Sequence, residues 1–307
     1  MTGAMALASL LGCLVGVAAA CVAFCLWAPR AWKRRLLLPL LRGGPPPPRL
    51  ADKPYARRVE KHGALQQPLA ERPLWVVSAR LPQPGPKFSR NMVVYRNPHT
   101  GGLWIHSPVC LDARTKAELE GLGRVECIVI PNSFHRLDAE AYAKEYPHAK
   151  VVCPKVPAKL IKAVTVVHAT CEDTFPEADS GGAGVVQYLA PAGLVTTIDD
   201  VGELVYLLDL GDGKSALVFC DLFFNLSCEE SDFLMKRVAS GFGPTAFGKI
   251  VCMDTGRQFC EWILNRLIPK AEASNVEVIV VGHGDIVVGK TNVMKALHEA
   301  ASKVKDF

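Results

Sequence analysis

The first 51 residues contain no Asp or Glu, and the stretch from Ala4 to Ala28 contains no charged residue of either sign. None of the 11 cysteines belongs to a CxxC pair, and most lie inside apolar runs. That excludes a disulfide framework or a cysteine zinc site and indicates reduced, buried thiols. No GxSxG nucleophile elbow is present. Cys220 stands beside Asp221 in an apolar run, where burial and a neighbouring negative charge both disfavour a reactive thiolate. The formal net charge of +5 comes from the N-terminus. Residues 1–51 hold six basic side chains (Arg30, Lys33, Arg34, Arg35, Arg42 and Arg49), and the other 256 residues carry 29 Lys and Arg against 30 Asp and Glu. A nearly neutral body offers no electrostatic footprint for nucleic acid.

The uncharged run from Ala4 to Ala28 spans roughly 37 Å as a helix, more than the ~30 Å hydrocarbon core of a bilayer. Trp27 closes it, and the cluster Arg30, Lys33, Arg34, Arg35 follows. This reads as a single transmembrane anchor over 1–30, with the C-terminal body on the cytosolic, reducing side of the membrane, an organelle membrane being one option. A cleaved signal peptide is the rival, but it lacks a basic n-region; an organelle transit segment shares the acid-free composition. Residues 31–70 form a basic juxtamembrane segment and a linker containing Gly43-Gly-Pro-Pro-Pro-Pro48, whose proline run is stiff and extended. The folded domain is expected over 71–307.

Strands are predicted at Leu74–Leu81, Asn91–Arg96 and Gly102–Pro108, forming an opening meander. Asp112 is placed to N-cap a helix running through Glu120 and stopping at Gly121 or Gly123. A strand at Val125–Pro131, a loop at Asn132–Asp138, a helix at Asp138–Tyr146 and a strand at Lys150–Cys153 follow, the rhythm of a parallel α/β layer. Ala169–Gly184 reads as an acidic surface loop and Val185–Ala190 as a strand. Glu203–Leu210 and Ala216–Phe219 flank Gly211-Asp-Gly-Lys214, a hairpin turn signal. Helices fit Glu229–Ser240, Gln258–Leu267 and Asn292–Val304, with the last strand at 276–282.

Residues 284–291 match GxxxxGK[ST], between a strand and a helix, with Lys290 and Thr291 as the phosphate-facing pair. Against it stand the bulky Asp-Ile-Val-Val insert and the charge of Asp285. Only 16 residues follow Thr291, too few for the remaining strands of such a fold. The acidic and imidazole side chains form a different pattern. His106, His135, Asp138, Asp221 and His283 all fall at or just past strand ends, the edge where ligands gather in α/β folds. Two strands, Ala216–Phe219 and Val276–Val281, each run into a side chain able to bind metal, Asp221 and His283. On these residues alone, Asp221 as a turn cap and His283 as a satisfied loop histidine is an equal alternative.

At these residues the chain resembles the metallo-β-lactamase superfamily. The order of meander, His-bearing loop, helix, second strand set, strand ending in Asp and strand ending in Gly-His-Gly is the superfamily's order. The segment LWIHSPVCLD, with VECIVIPNSFHRLDAEAYAKEYPHAKVVCP after it, is similar to an uncharacterised family within that fold, known as a domain of unknown function. The resemblance implies a four-layered αββα sandwich with a metal cleft at the strand ends. It places Asp221 at the superfamily's bridging carboxylate and His283 at its last histidine. The HxHxDH region instead reads Pro131-Asn-Ser-Phe-His-Arg-Leu-Asp138, with Asn132 at the first histidine and His135 as the only imidazole. Pro191-Ala-Gly-Leu194 occupies the place of a later histidine. The expectation is a domain that has lost most zinc ligands and binds a small molecule or protein partner without catalysis. The alternative is a hydrolase with one zinc or iron held by Asp221, His283 and His135. Nucleotide or phosphate binding through 284–291 stands third.

Overall fold

The computed structural model describes residues 53–81, 89–180, 184–194, 202–226 and 241–305. The apolar run 4–28, the proline spacer and the helix expected at 229–240 lie outside them. Among the described residues no helix is long and apolar enough to cross a membrane.

Six strands form the first sheet: β1 (Leu74–Arg80), β2 (Ser89–Arg96), β3 (Leu103–His106), β4 (Val125–Val129), β5 (Lys150–Cys153) and β6 (Ala169–Thr170), hydrogen-bonded in that order. The first three pair antiparallel as the expected meander, and β3 to β6 run parallel. The second sheet uses β7 (Val186–Leu189), β8 (Val205–Gly211) and β9 (Lys214–Val218). Beyond the short strands β10 (Phe224–Leu226) and β11 (Gly241–Gly243), it continues with β12 (Val276–Val280). After β13 (His283–Gly284), β14 (Val287–Val288) closes its edge, giving the order β14-β12-β9-β8-β7. The small strands β11, β10 and β13 pair separately at the end of the second sheet.

Alternating side chains divide the core into layers. Along β2, Val93 and Tyr95 join one apolar cluster while Met92 and Val94 join another. Along β8, Tyr206 and Leu208 join the same cluster as Val93, and Val205 and Leu207 face the opposite way. The shared cluster therefore lies between the two sheets, as the period-two alternation of strands requires. The outer face of the first sheet is covered by α1 (Ala113–Leu122), α2 (Ala139–Glu145) and α3 (Ala158–Lys162) through Leu119, Tyr142 and Ile161. A short turn of helix, α4 (Cys171–Thr174), and another, α5 (Ala246–Val251), precede α6 (Gly256–Trp262), α7 (Ile268–Ala273) and α8 (Lys290–Val304). Phe259, Ala271, Val293 and Leu297 from these last three cover the outer face of the second sheet. The order is helix, sheet, sheet, helix.

Local chemistry explains most boundaries. The Asp112 side chain accepts from Thr115 N at 2.8 Å, and Gly123, with φ 157, stops α1. The helix expected to end at Leu267 instead continues through Pro269. A π turn at Ile263–Leu267 sits just ahead of the proline, which has no N–H and would clash with the carbonyl four residues back. The acidic stretch read as a loop from Ala169 contributes β6 and α4 before turning outward, because Cys171 is fully buried.

The folded body also starts earlier than residue 71. Tyr55 is buried and its hydroxyl accepts from Leu111 N at 3.0 Å. Arg58, 3% exposed, donates to the Leu137 carbonyl at 3.2 Å and to Glu140 at 3.0 Å. Gly63 and Gln66 bond to Ser78 and Val76 of β1. These residues were read as linker because they are polar and basic, but the arginine here fills a pocket against α2. A chain starting at residue 71 is expected to be at least about 3 kcal/mol less stable than one starting at residue 42. That corresponds to a melting temperature about 6–12 °C lower; equal melting would return the boundary to residue 70.

Candidate metal centre

Three side chains from three different strand ends converge. Asp221 follows β9, His283 follows β12, and His135 sits in the loop leaving β4. The three strands carry these residues at their C-terminal ends. The Nε2 atoms of His135 and His283 lie 3.1 and 3.0 Å from Asp221 Oδ1, and 3.0 Å from each other. All three expected residues are thus brought together. Their side chains are 5%, 6% and 13% exposed for His135, His283 and Asp221, so the carboxylate is the most open of the three.

Each is held from behind. His283 Nδ1 lies 2.6 Å from the Ser89 carbonyl, which only accepts, so this nitrogen carries the proton. In the neutral ring the lone pair is then on Nε2, facing the cluster. The glycines around His283 allow the close backbone approach that sets it. A Cβ on Gly284 would meet Asn225 O at 2.1 Å, and that glycine has φ +102. Asn91 fastens the same turn by donating to the carbonyls of Val281 and Gly284 at 2.9 and 2.8 Å. His135 is positioned by Asn132, whose Oδ1 accepts from Phe134 N at 2.9 Å and His135 N at 3.0 Å. Behind the ring, His135 Nδ1 meets Ser107 Oγ at 2.7 Å. Ser107 has φ 57, a left-handed conformation rare for serine, and is buried. Strain of that kind persists where the surroundings impose it.

The group that sequence reading missed is Glu203. It precedes β8 and is 6% exposed. Its Oε1 accepts from Cys220 N at 2.7 Å and Leu222 N at 3.2 Å, and its Oε2 from Asp221 N at 2.7 Å. Asn132 Nδ2 joins the two carboxylates, donating to Asp221 Oδ2 at 2.8 Å and Glu203 Oε2 at 3.2 Å. The available signal was a Glu standing directly before the apolar run 204–208, a place where a buried carboxylate needs donors to be tolerated.

Charge divides unequally between the two acids. Burial, then the charge of Asp221, pushes Glu203 up to about 8 against the pull of its backbone donors. Burial alone would raise Asp221, but His135 and His283 hold its carboxyl well below the usual range. Burial lowers His135, partly opposed by Asp221.

Two other expected residues lie apart from the cluster. Asp138 forms a buried ion pair with Arg90 and accepts from Cys110 N at 3.3 Å, so its carboxylate is engaged away from the centre. His106 projects between the sheets, stacked on Trp104 at 5.5 Å and edge-on to Tyr206 at 5.4 Å. Burial, then the proximity of His135, pushes it down to about 3, so it is neutral. In the 284–291 segment, the amides of Asp285 and Gly289 donate to Asn225 O and Glu277 O, each at 2.8 Å, and Val287 and Val288 pair with β12. A phosphate-binding loop would aim those amides inward, so the motif match is a strand edge and not a phosphate cradle.

The donor set suits one metal ion. Two imidazole nitrogens and one carboxylate oxygen form a common zinc triad, leaving a fourth position open. Ligand atoms at normal zinc distances in a tetrahedron stand about 3.3 Å apart, so these three need open by only a few tenths of an ångström.

Among solved structures, the fold is similar to the DIM-1 metallo-β-lactamase, at 12% identity and TM-score 0.50, covering 78% of this chain and 99% of that one. It also matches FIM-1 from Pseudomonas aeruginosa in its mono-zinc form (10% identity, 79% and 97% covered, TM-score 0.49). A metallo-β-lactamase from Hirschia baltica matches at 10% identity, 77% and 97% covered, TM-score 0.48. The likeness to DIM-1 gives the domain a metallo-β-lactamase-like fold. No protein-family model matches the chain, and no curated protein does.

Replacing Glu203 by Gln turns an NH₂ group toward backbone N–H donors whichever way the amide is set. Glu203→Gln is expected to cost about 2 kcal/mol in urea denaturation, and unchanged stability would remove the clamp from this account.

Proposed function

We propose that the domain holds a single divalent metal, zinc or iron, between His135, Asp221 and His283, and acts as a metal-dependent hydrolase with a reduced, one-metal site. The observation that carries this reading is the convergence of three donor atoms, the Nε2 atoms of His135 and His283 and Asp221 Oδ1, all within 3.1 Å of one another. His283 donates from Nδ1 to the Ser89 carbonyl, which turns its Nε2 toward Asp221. Electron-rich atoms at that distance need a cation or a proton among them. The nearby Arg90 is itself engaged in a buried ion pair with Asp138.

A metal bound there would supply Lewis acidity and an acidified water for attack on an ester, thioester or phosphodiester. The chain's own part is positional. Ser89 and Ser107 orient the two rings, as partners behind metal-bound histidines do. Glu203 and Asn132 fix the carboxylate so that Oδ1 alone faces the cluster. Among the described residues the other three-donor group, Glu203, Cys220 and Asp221, is less suited to a second metal, because the Glu203 oxygens accept from three backbone amides and Asp221 Oδ2 accepts from Asn132.

Purified full-length protein is expected to contain about one zinc or iron per chain by elemental mass spectrometry, with the metal lost in Asp221→Ala and in His135→Ala. Metal removal should lower the melting temperature, since an ion bound only by the native state stabilises it. Metal-free protein after reconstitution with both ions would leave non-catalytic binding of a small molecule or partner as the function of this cleft.

We also propose that residues 1–30 tether the domain to a membrane. Full-length protein is expected to stay with the membrane fraction after alkaline extraction, whereas a chain starting at residue 42 is released. Release of both would end the tether reading.

A further inference from the structure

Residues 146–171 contain no Asp or Glu but four lysines, in a body whose charges otherwise nearly balance. Three of them, Lys155, Lys159 and Lys162, are exposed and gather at α3. Lys159 and Lys162 share one side of that helix, and Ile161 buries the other. Lys155 lies in the turn that leads in, where its carbonyl accepts from Ala158 N at 3.3 Å. Val166, just beyond the helix, is 51% exposed, the most exposed large aliphatic side chain among the described residues. Glu172 reaches this surface, but both its oxygens accept from Lys155 N at 3.0 Å. The acids of α2, on the same face of the first sheet, are taken up by other cations: Glu140 by Arg58 and Lys144, and Glu145 by Lys116.

The start of the described chain lies close by. The Lys53 carbonyl accepts from Arg58 Nε at 2.8 Å, and Arg58 Nη1 donates to the Leu137 carbonyl at 3.2 Å. In the same loop, Arg136 donates from Nη1 to the Leu160 carbonyl of α3. The chain arriving from the N-terminal segment therefore joins the fold beside a loop that is itself bonded to α3. We propose that the surface formed by Lys155, Lys159 and Lys162, with Val166 at its edge, docks on an anionic lipid headgroup surface. This rests on the reading of residues 1–30 as a tether. The 24 residues of 29–52 span at most about 85 Å, so a tether keeps the domain within that distance of the bilayer. Contact with lipid is then intramolecular, and a weak patch suffices. Each lysine near an anionic membrane contributes about fivefold. Three are too few to hold an untethered protein firmly, but an anchor and a basic patch reinforce one another.

Full-length protein in nanodiscs of phosphatidylcholine, with and without phosphatidylserine, tests this through lysine acylation read residue by residue by mass spectrometry. An ammonium group held against lipid headgroups is screened from the reagent. Lys155, Lys159 and Lys162 are expected to react about fivefold more slowly in the discs that contain phosphatidylserine, and the difference should fade as salt is raised. Lys295, exposed on α8 over the other sheet, should react equally in both. In Lys155→Gln/Lys162→Gln, and in Val166→Asp, Lys159 should return toward its rate in phosphatidylcholine. All three positions are exposed, so these changes leave the core intact. Equal rates for the three lysines in the two discs, or an equal slowing of Lys295, would overturn the proposal. Protein absent from both kinds of disc ends the tether reading and this proposal with it. Protein present in both, with lysines that react alike, ends this proposal alone.

Discussion

The carboxylate of Glu203 accepts from the backbone N–H groups of Cys220, Asp221 and Leu222, and the rest of the centre depends on that clamp. β9 ends at Val218, and between it and β10 the chain has no ladder partner among the described residues to hold its amides except where Phe219 N reaches Val280 O. Without Glu203 these amides would be buried and unpaired, and the turn that presents Asp221 would have no reason to stay where it is. The clamp also explains why a costly buried acid is tolerated. Its donors offset desolvation, and Asn132 ties it to the second acid, so the two carboxyl groups and one amide set the position of a single oxygen, Asp221 Oδ1.

From that oxygen outward, the centre is a set of backbone constraints. Ser107 is held in a left-handed conformation so that its hydroxyl lies behind His135. Gly284 adopts φ +102 so that β13 can lie against β10, and the Ser89 carbonyl then meets His283. Asn91 N bonds to Gly282 O at 2.7 Å, so strand β2 of the first sheet grips the loop that leaves the second. The edge that carries Asp221 and His283 is thereby stitched across both sheets.

The strands were legible because their patterns are strong. Lys150–Cys153 has the same bounds in sequence and structure, and Val125–Val129 loses only its last two expected residues to the loop. Asp112 was legible as a cap for the same reason: an acid standing directly before a helical stretch and a glycine standing directly after it have few other uses. The convergence of Asp221, His283 and His135 was legible only by order along the chain, since nothing local to His135 distinguishes it from His106. Both follow apolar strands. The difference is where the strand ends. His106 is still within β3, paired with Val93 of β2, so the sheet directs its ring between the layers. His135 lies six residues past the end of β4, where the Asn132 turn redirects the chain. Glu203 and Ser107 were not legible, because their roles are to backbone and ring atoms far away in sequence. The reading of 31–70 as juxtamembrane segment and linker passed over Arg58, because nothing local in the sequence places the Leu137 carbonyl and Glu140 beside it.

Asn132 carries the last step of the argument about nuclearity. An imidazole at that position would present a metal-binding nitrogen to the cleft. The amide instead faces both ways along the protein's own chain. Its Oδ1 closes the turn onto Phe134 N and His135 N, and this fixes which end is Nδ2, the end that bonds Asp221 Oδ2 and Glu203 Oε2. Asn132 thus makes the outer oxygen of Asp221 a hydrogen-bond acceptor and adds a second tether to the turn that carries His135. The same side chain therefore leaves Asp221 Oδ1 as the oxygen that faces His135 and His283, and it positions the turn from which His135 meets that oxygen.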